Sequence, residues 1–266
     1  MRADHGIALF DSGLGGVSVF NALAQAFPKE NFYYLGDTAR LPYGTKSAHT
    51  LKKYVQKNVD FLSQFPIKLL IVACNSASSV LDEMNFNLPF PVWSVIPMGA
   101  SQALKLTKTK NIMLWATQTT IDQKKYSLFF KRNSKNIQLH TQACPMLVPL
   151  VEQGHLSHPA TDLFIKEYLK SFPPEADTLI LGCTHYPFLK DAISRQLPEK
   201  VQIIESGELS AQALSRAFKA KKVLPKVEPH QQAHEFYLTD HSIRFENTCK
   251  SWLSKNIKVN FQSVDL

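Results

Sequence analysis

Short apolar runs alternate along the chain with longer segments in which apolar residues recur every three or four positions. Runs of about four to eight apolar residues are typical of buried strands, and the longer pattern is typical of helices packed on a sheet. The runs lie at residues 6–10, 31–36, 67–73, 91–95, 111–117, 137–142, 177–182 and 201–206. Strands separated by helices form βαβ units, so the pattern predicts an α/β fold with mostly parallel sheets.

Three of the longer segments have clear helical spacing. In residues 17–27 the apolar positions recur at this spacing until Pro28 ends the pattern. Residues 49–65 and 160–172 show the same periodicity, and Ser47 is a predicted N-cap for the first of these two. We therefore expect helices to cover the faces of the sheets.

Two stretches in different halves of the chain have nearly the same pattern. Residues 69–79 are LLIVACNSASS and residues 179–187 are LILGCTHYP, so each apolar run ends at a cysteine followed by small polar residues. The likeness predicts that Cys74 and Cys183 occupy equivalent strand ends in two similar halves.

This repetition predicts two similar lobes, each a mostly parallel sheet flanked by helices, with the active site between them. We expect residues 1–97 plus 208–266 to form the first lobe and residues 98–207 to form the second. The chain would cross between them near residues 96–99 and again near 206–208. Ligands of α/β proteins bind at the carboxyl ends of parallel strands, where both cysteines are predicted to lie.

Composition excludes several classes of protein. Of the 266 residues, 44% are hydrophobic and 20% are charged, as in globular proteins. No apolar run approaches the roughly 20 residues that cross a bilayer, and the amino terminus lacks a secretory hydrophobic region, so we expect a cytoplasmic protein without membrane contact. The net charge of +8 is spread over scattered lysines, which favours a solvated surface over a nucleic-acid site.

The cysteines are the strongest candidates for chemistry. Four are present and none forms a C-x-x-C pair, so reduced thiols are expected in a reducing compartment. A thiol at a helix N-terminus has a lowered pKa, which predicts a reactive thiolate at Cys74. Cys183 is followed by Thr184 and His185, and the imidazole is a candidate proton relay for that thiol. Cys144 and Cys249 lack such neighbours and are expected to be core residues.

Other interpretations of these cysteines remain open. A buried free cysteine is often inert packing. Two cysteines with His185 and Asp11 would also satisfy a tetrahedral zinc ion, but neither thiol belongs to a chelating pair, so we predict no metal.

Two loops add candidate residues. Asp11 begins DSGLGG at the end of the first strand, where its carboxylate would face the ligand crevice. This loop is either a tight turn or an anion site, and it matches neither G-x-G-x-x-G nor the Walker A spacing, which argues against a nucleotide. Pro42, Tyr43 and Gly44 form a predicted turn before the second helix. Glu152, seen alone, is an exposed or capping acid.

Five motifs occur in the order DSGLGG, GDTARLPYGTKS, VACNSAS, QACPMLVPLVEQG and LGCTHYPFL. Together they resemble the glutamate racemases of the aspartate/glutamate racemase superfamily, over residues 6–207. The resemblance implies cofactor-independent interconversion of L- and D-glutamate, with D-glutamate supplied for peptidoglycan. An aspartate racemase or another amino-acid racemase of the superfamily is the alternative.

The resemblance also implies roles for individual residues. Cys74 would exchange the α-proton on the D side and Cys183 on the L side, with Asp11, His185 and Glu152 as assisting groups. The residues implied to hold the amino acid are Ser12, Pro42, Tyr43, Gly44, Asn75, Ser76 and Thr184, with Thr117 and Thr120 binding its carboxylates.

The chain departs from the common motifs at two places. Ser76 stands where threonine is usual, which keeps the hydroxyl group and loses a methyl contact. Pro97 and Met98 replace an acid or small residue followed by proline, so we expect a difference in how the lobes are hinged.

Expected partners follow from the same resemblance. Racemases that use pyridoxal phosphate hold it through a lysine, and none stands beside either cysteine; Lys46 is the nearest to a motif and is expected at the surface. No cofactor is therefore predicted. The family also suggests a homodimer and a secondary role in contacting DNA gyrase or nucleic acid, for which the positive charge permits only weak contact with an acidic surface.

Overall fold

The computed structural model describes residues 3–226 and 234–266. The strands are β1 Gly6–Asp11, β2 Phe32–Gly36, β3 Ile67–Val72, β4 Val92–Ser94, β5 Asn111–Ala116, β6 Gln138–Ala143, β7 Thr178–Gly182, β8 Gln202–Ile204, β9 His234–Leu238 and β10 Val259–Ser263. The helices are α1 Val17–Ala26, α2 Ala48–Leu62, α3 Asn75–Ser78, α4 Val95–Leu106, α5 Gln118–Asp122, α6 Lys125–Asn133, α7 Leu147–Glu152, α8 Pro159–Leu169, α9 Lys190–Ser194, α10 Ser206–Lys219 and α11 Ile243–Trp252.

The strands form two parallel sheets. One has the order β10-β9-β2-β1-β3-β4 and the other has the order β6-β5-β7-β8. The order β2-β1-β3-β4 in the first sheet is repeated by β6-β5-β7-β8 in the second, each strand displaced by four in the numbering. The predicted α/β class with two similar parallel sheets flanked by helices is therefore confirmed.

The central strands are apolar throughout because helices cover both faces of the sheet. In β1, Ile7 and Leu9 belong to one buried cluster while Ala8 and Phe10 belong to the cluster on the opposite face. Burial on both faces explains why these strands appear in the sequence as continuous apolar runs rather than as alternating patterns.

All eight predicted strands are present, and the three predicted helices correspond to α1, α2 and α8. The predicted cap is confirmed, since the Ser47 hydroxyl accepts a hydrogen bond from the Thr50 amide at 3.2 Å. Strands β9 and β10 were not predicted. They extend the first sheet in parallel beyond β2, and the sequence VNFQS mixes polar and apolar positions because β10 lies at the sheet edge.

Both predicted crossing points lie inside helices. The boundary at residue 97 lies in the first turn of α4, which joins β4 of the first sheet to β5 of the second, and the boundary at residue 207 lies at the start of α10. Pro97 is tolerated there because first-turn amides have no helical partner. The Met98 sulfur accepts a hydrogen bond from the Ser210 hydroxyl at 3.6 Å, which ties α4 to α10. The lobe boundaries themselves remain a prediction.

Within residues 3–226 and 234–266, no helix has the length and apolar character needed to cross a membrane.

Candidate active site

A cavity of about 320 Å³ lies between the two sheets, at the carboxyl ends of their central strands. This is the usual position and size of a small-molecule site in an α/β protein. Its lining includes twelve of the fourteen residues singled out in the sequence: Ser12, Pro42, Tyr43, Gly44, Cys74, Asn75, Ser76, Thr117, Glu152, Cys183, Thr184 and His185. The other two, Asp11 and Thr120, are buried behind this lining.

Cys74 is positioned by the junction of β3 with the short helix α3. The side chain is almost fully buried, and its sulfur donates a hydrogen bond to the Ser12 hydroxyl at 3.7 Å. Burial raises the pKa of the Cys74 thiol to about 12, and the nearby Asp11 carboxyl adds to this effect. The expectation of a lowered pKa at Cys74 is therefore wrong. A helix of four residues contributes too little dipole to offset the loss of water around the sulfur.

Cys183 occupies the equivalent junction after β7 and has different neighbours. Its sulfur lies 3.8 Å from Nδ1 of His185, and Nε2 of the same ring lies 3.2 Å from a Glu152 carboxylate oxygen. Burial by itself lowers the pKa of His185, but hydrogen bonds to Cys183 and Glu152 outweigh it and raise the pKa to about 10. The imidazole is consequently charged at neutral pH, and Glu152 orients it toward the sulfur.

Asp11 links the two halves of the site. One carboxylate oxygen accepts a hydrogen bond from the Thr184 hydroxyl at 3.0 Å, and the other accepts one from the Gly13 amide at 3.1 Å. Burial raises the pKa of Asp11, and the charge of His185 partly opposes that shift. Ser18 strengthens the same junction by donating to the Thr184 carbonyl at 3.0 Å. Asp11 thus holds the loop that carries the second cysteine.

Three hydroxyl groups meet on another wall of the site. The Ser76 hydroxyl lies 2.8 Å from that of Thr117 and 3.4 Å from that of Thr120, and the two threonine hydroxyls are 2.9 Å apart. Ser76 lies two residues after Cys74. Thr117 is the N-cap of α5 and Thr120 lies within this helix, which follows β5 of the second sheet. The serine that replaces the usual threonine therefore keeps its place in this cluster.

The loop before α2 lines the cavity through Pro42, Tyr43 and Gly44. The Tyr43 hydroxyl donates a very short hydrogen bond to Asp37 and accepts another from the Asn58 amide at 3.1 Å. Both partners are fully buried outside the cavity lining. The phenol therefore anchors the loop, and the cavity wall is made by the ring and backbone.

Sequence reasoning missed part of the lining. The additional residues are Leu41, Thr45, Gln118, Pro145, Val148, Pro149 and Gly182. Most of them are apolar, and three belong to QACPMLVPL, a proline-interrupted apolar run whose pattern is typical of core packing. An apolar wall excludes water, and this function leaves no signature distinct from packing in the sequence.

The zinc alternative gains no support from the described ranges. They contain no group of three or more histidine, cysteine, aspartate or glutamate side chains that could hold a metal ion.

The sequence profile of the family described as Asp/Glu/Hydantoin racemase matches residues 12–214. The chain belongs to this racemase family. A glutamate racemase of Aquifex aeolicus is 39% identical over 258 residues, which cover 97% of each chain.

Solved structures of the racemase family agree with this assignment. A glutamate racemase isoform of Bacillus anthracis superposes with a TM-score of 0.92 at 35% identity, covering 100% of this chain and 99% of the other. A glutamate racemase of Francisella tularensis, solved in complex with D-glutamate, gives a TM-score of 0.87 at 30% identity over 98% of both chains.

Proposed function

We propose that this chain is a glutamate racemase that moves the α-proton of glutamate between two cysteines. The observation that carries the proposal is that Cys74 and Cys183 follow the third strand of their respective repeats and line one cavity. Relatives that match nearly the whole chain are glutamate racemases, and one of their structures holds D-glutamate.

Inversion at the α-carbon requires a base on one face and a proton donor on the other. In the L-to-D direction the Cys183 thiolate takes the α-proton, the electron pair of the broken C–H bond remains on the carbon, and the Cys74 thiol returns a proton to the opposite face. The reverse direction exchanges the two roles. A single base would return the proton to its original side, which explains the need for two thiols.

The surroundings of the thiols supply the charges that this step needs. The charged His185 beside Cys183 favours negative charge on that sulfur, and Glu152 holds the ring in place. The raised pKa of Cys74 keeps that group a neutral thiol at neutral pH. The ammonium group of bound glutamate brings a positive charge close to the buried sulfur and so favours its ionised form.

The polar residues around the cavity hold the two carboxylates of the substrate in this proposal. The hydroxyl cluster of Ser76, Thr117 and Thr120 provides donors on one wall, and Ser12 and Asn75 provide them beside the cysteines, where the Thr184 hydroxyl already donates to Asp11. The family description covers both aspartate and glutamate, so the length of the preferred substrate distinguishes the proposal from its nearest alternative.

The proposal has cellular and structural parts as well. D-glutamate formed by this chain would be supplied for peptidoglycan in the cytoplasm, without a cofactor. The first lobe would comprise residues 1–97 plus 208–266, and the second would comprise residues 98–207. We also expect a homodimer, which analytical ultracentrifugation would detect.

Racemisation measured by circular dichroism tests the activity. Purified protein freed of pyridoxal phosphate should racemise L- and D-glutamate in deuterium oxide, placing deuterium at the α-carbon of the product, and should act poorly on aspartate. The two values of kcat/KM should be equal, because the equilibrium constant between enantiomers is unity. Loss of activity on removal of pyridoxal phosphate, or a preference for aspartate, would contradict the proposal.

Variants of the cysteines test the mechanism. Cys74→Ala and Cys183→Ala should each reduce racemisation by about 10³-fold or more, because each removes one of the two proton-transfer groups. Cys74→Ala should still exchange the α-proton of L-glutamate through Cys183. Cys249→Ala is the matched control, since that thiol is buried in the core outside the cavity lining. Full activity in either of the first two variants would refute the two-thiol mechanism.

A further inference from the structure

A buried hydrogen-bond donor at the cavity has no partner in the described part of the chain. Asn75 lines the cavity directly after Cys74, and the side chain is 1% exposed. Its amide nitrogen Nδ2 makes no hydrogen bond to the described residues. A buried hydrogen-bond donor without a partner destabilises the protein. An unpaired donor in a binding cavity is therefore suited to a ligand that supplies the acceptor.

The other end of the same amide is held firmly. The Tyr126 hydroxyl donates a hydrogen bond to Oδ1 of Asn75 at 2.8 Å, and both groups are buried. Tyr126 lies on α6, between strands β5 and β6 of the second sheet, whereas Asn75 follows β3 of the first sheet. The bond therefore joins the two halves of the molecule at the edge of the cavity.

Packing fixes the position of the tyrosine ring. Tyr126 is 2% exposed and belongs to the buried cluster that includes Ala100, Ile112 and Phe130. Helix α4 passes beside it at Gly99, where an added Cβ atom would lie 3.4 Å from the tyrosine oxygen. Burial also raises the pKa of Tyr126, so the hydroxyl keeps its proton and remains a donor.

An asparagine amide has a donor end and an acceptor end, and rotating it by half a turn exchanges them. A fixed phenol donor favours the orientation that presents Oδ1 to it. In that orientation Nδ2 is left without a protein partner. Removal of the phenol oxygen removes the preference and leaves the amide free to reverse.

We propose that Tyr126 is a positioning residue for substrate binding: it orients the Asn75 amide so that Nδ2 donates to a carboxylate oxygen of the substrate. This inference rests on the proposed racemase function. Tyr126 lies in the core on α6 and does not line the cavity, so it would act on the site only through Asn75.

The variant Tyr126→Phe removes the orienting oxygen and keeps the ring. We expect KM for both D- and L-glutamate to rise about 10-fold or more, as for the loss of one hydrogen bond to a charged group, with kcat changed less than about 2-fold. Phe130→Leu is the control for packing in the same helix and cluster. It should lower Tm by roughly 2–6 °C and leave KM unchanged. An unchanged KM in Tyr126→Phe would overturn the proposal.

A double-variant cycle separates orientation from general destabilisation. Asn75→Ala should raise KM by itself, and adding Tyr126→Phe to it should raise KM no further, because the tyrosine acts through the amide. If the two effects on KM multiply, the tyrosine acts by another route and the proposal fails.

A further measurement does not depend on how the tyrosine variant folds. The side-chain amide signals of Asn75 in the wild-type protein, assigned by their loss in Asn75→Ala, should shift when D-glutamate is added. Unmoved signals at saturating D-glutamate would overturn the inference. Absence of racemisation by the wild-type protein, with these signals shifting normally, would instead refute the proposed function while retaining the orienting role in binding.

Discussion

The two thiols occupy equivalent positions in the repeats, but they have unequal surroundings. Cys74 is buried beside the Asp11 carboxyl, and the loss of water around the sulfur together with that carboxyl raises the pKa of the thiol to about 12, so the group stays neutral. Cys183 has the His185 ring, charged at neutral pH and held by Glu152. The repeat therefore supplies the positions of the reacting groups, and individual neighbours supply their charge states.

The Glu152→Gln variant tests how the charge on His185 is maintained. Hydrogen bonds to Cys183 and Glu152 outweigh burial and raise the pKa of the ring to about 10, so loss of the Glu152 carboxylate should lower that pKa and move the alkaline decline of kcat/KM to lower pH. Activity at pH 8 should fall by about 10-fold or more, measured as racemisation rate across pH 6–11.

Glu167→Gln is the control for this prediction. Glu167 is an exposed residue of α8 that pairs with Lys170, away from the cavity lining. Its removal should leave the pH profile unchanged. An alkaline decline at the same pH in Glu152→Gln and the wild-type protein would show that the carboxylate does not control the ring.

The limits of sequence reasoning are also visible in single residues. Cys74 and Cys183 were found because a polar break after an apolar strand is visible in the sequence. Glu152 was found only through the family resemblance, since its partner is 33 residues away in the chain. Tyr126 was missed, because a tyrosine among apolar helix residues is indistinguishable from a core residue.

At the scale of elements, glycines let the loops of the two halves approach each other. A Cβ atom at Gly15 would lie 2.5 Å from Nδ1 of His185, and one at Gly44 would lie 2.7 Å from Cβ of Thr117. The DSGLGG loop thus serves close packing between the halves in addition to binding Asp11 through the Gly13 amide. The sequence alone is consistent with either a tight turn or an anion site for this loop.

The Gly44→Ala variant tests this close approach. The added methyl group would overlap Thr117 and force the loop before α2 away from α5. Such overpacking lowers the free energy of unfolding by about 1–3 kcal/mol. We expect KM for glutamate to rise about 10-fold, because the hydroxyl cluster and the loop no longer line the same cavity correctly.

Gly154→Ala provides a comparison with backbone strain alone. Gly154 has a φ of +73° and no atom within 4 Å of an added Cβ, so alanine there should cost about 1–2 kcal/mol of stability and leave KM unchanged. A Gly44→Ala protein with a lower Tm and an unchanged KM, as expected for Gly154→Ala, would show that the loop does not depend on the close contact.

At the scale of the whole molecule, the carboxyl-terminal segment supports the site from behind. The Thr239 hydroxyl, just after β9, donates to the Asp37 carboxylate at 3.0 Å and accepts from the Ala39 amide at 3.0 Å. Asp37 in turn accepts a hydrogen bond from the Tyr43 hydroxyl, and this bond anchors the loop at the cavity. A segment with little family signature therefore contributes to the shape of the binding cavity.

The Thr239→Val variant keeps the shape of the side chain and removes both hydrogen bonds. We expect the free energy of unfolding to fall by about 1–3 kcal/mol, because the buried Asp37 carboxylate loses a hydrogen-bond donor. We also expect KM to rise about 3-fold or more as the loop before α2 loosens. Denaturant unfolding and steady-state kinetics measure the two effects.

Thr248→Val serves as the control for loss of a hydroxyl. Thr248 donates to a helix carbonyl on the exposed surface of α11, so its replacement should change stability by less than about 0.5 kcal/mol and should not affect KM. A stable Thr239→Val protein with the wild-type KM would show that the carboxyl-terminal segment does not support the loop.

The sequence by itself determined the α/β class, the eight strands of the two repeats and the positions of the paired cysteines. These features depend on local periodicity and on where an apolar run stops, and both can be read directly from neighbouring residues in the sequence. The tertiary structure decided the placement of β9 and β10, the neutral state of Cys74 and the charged state of His185. Those properties depend on burial and on partners distant in sequence, which only folding brings together.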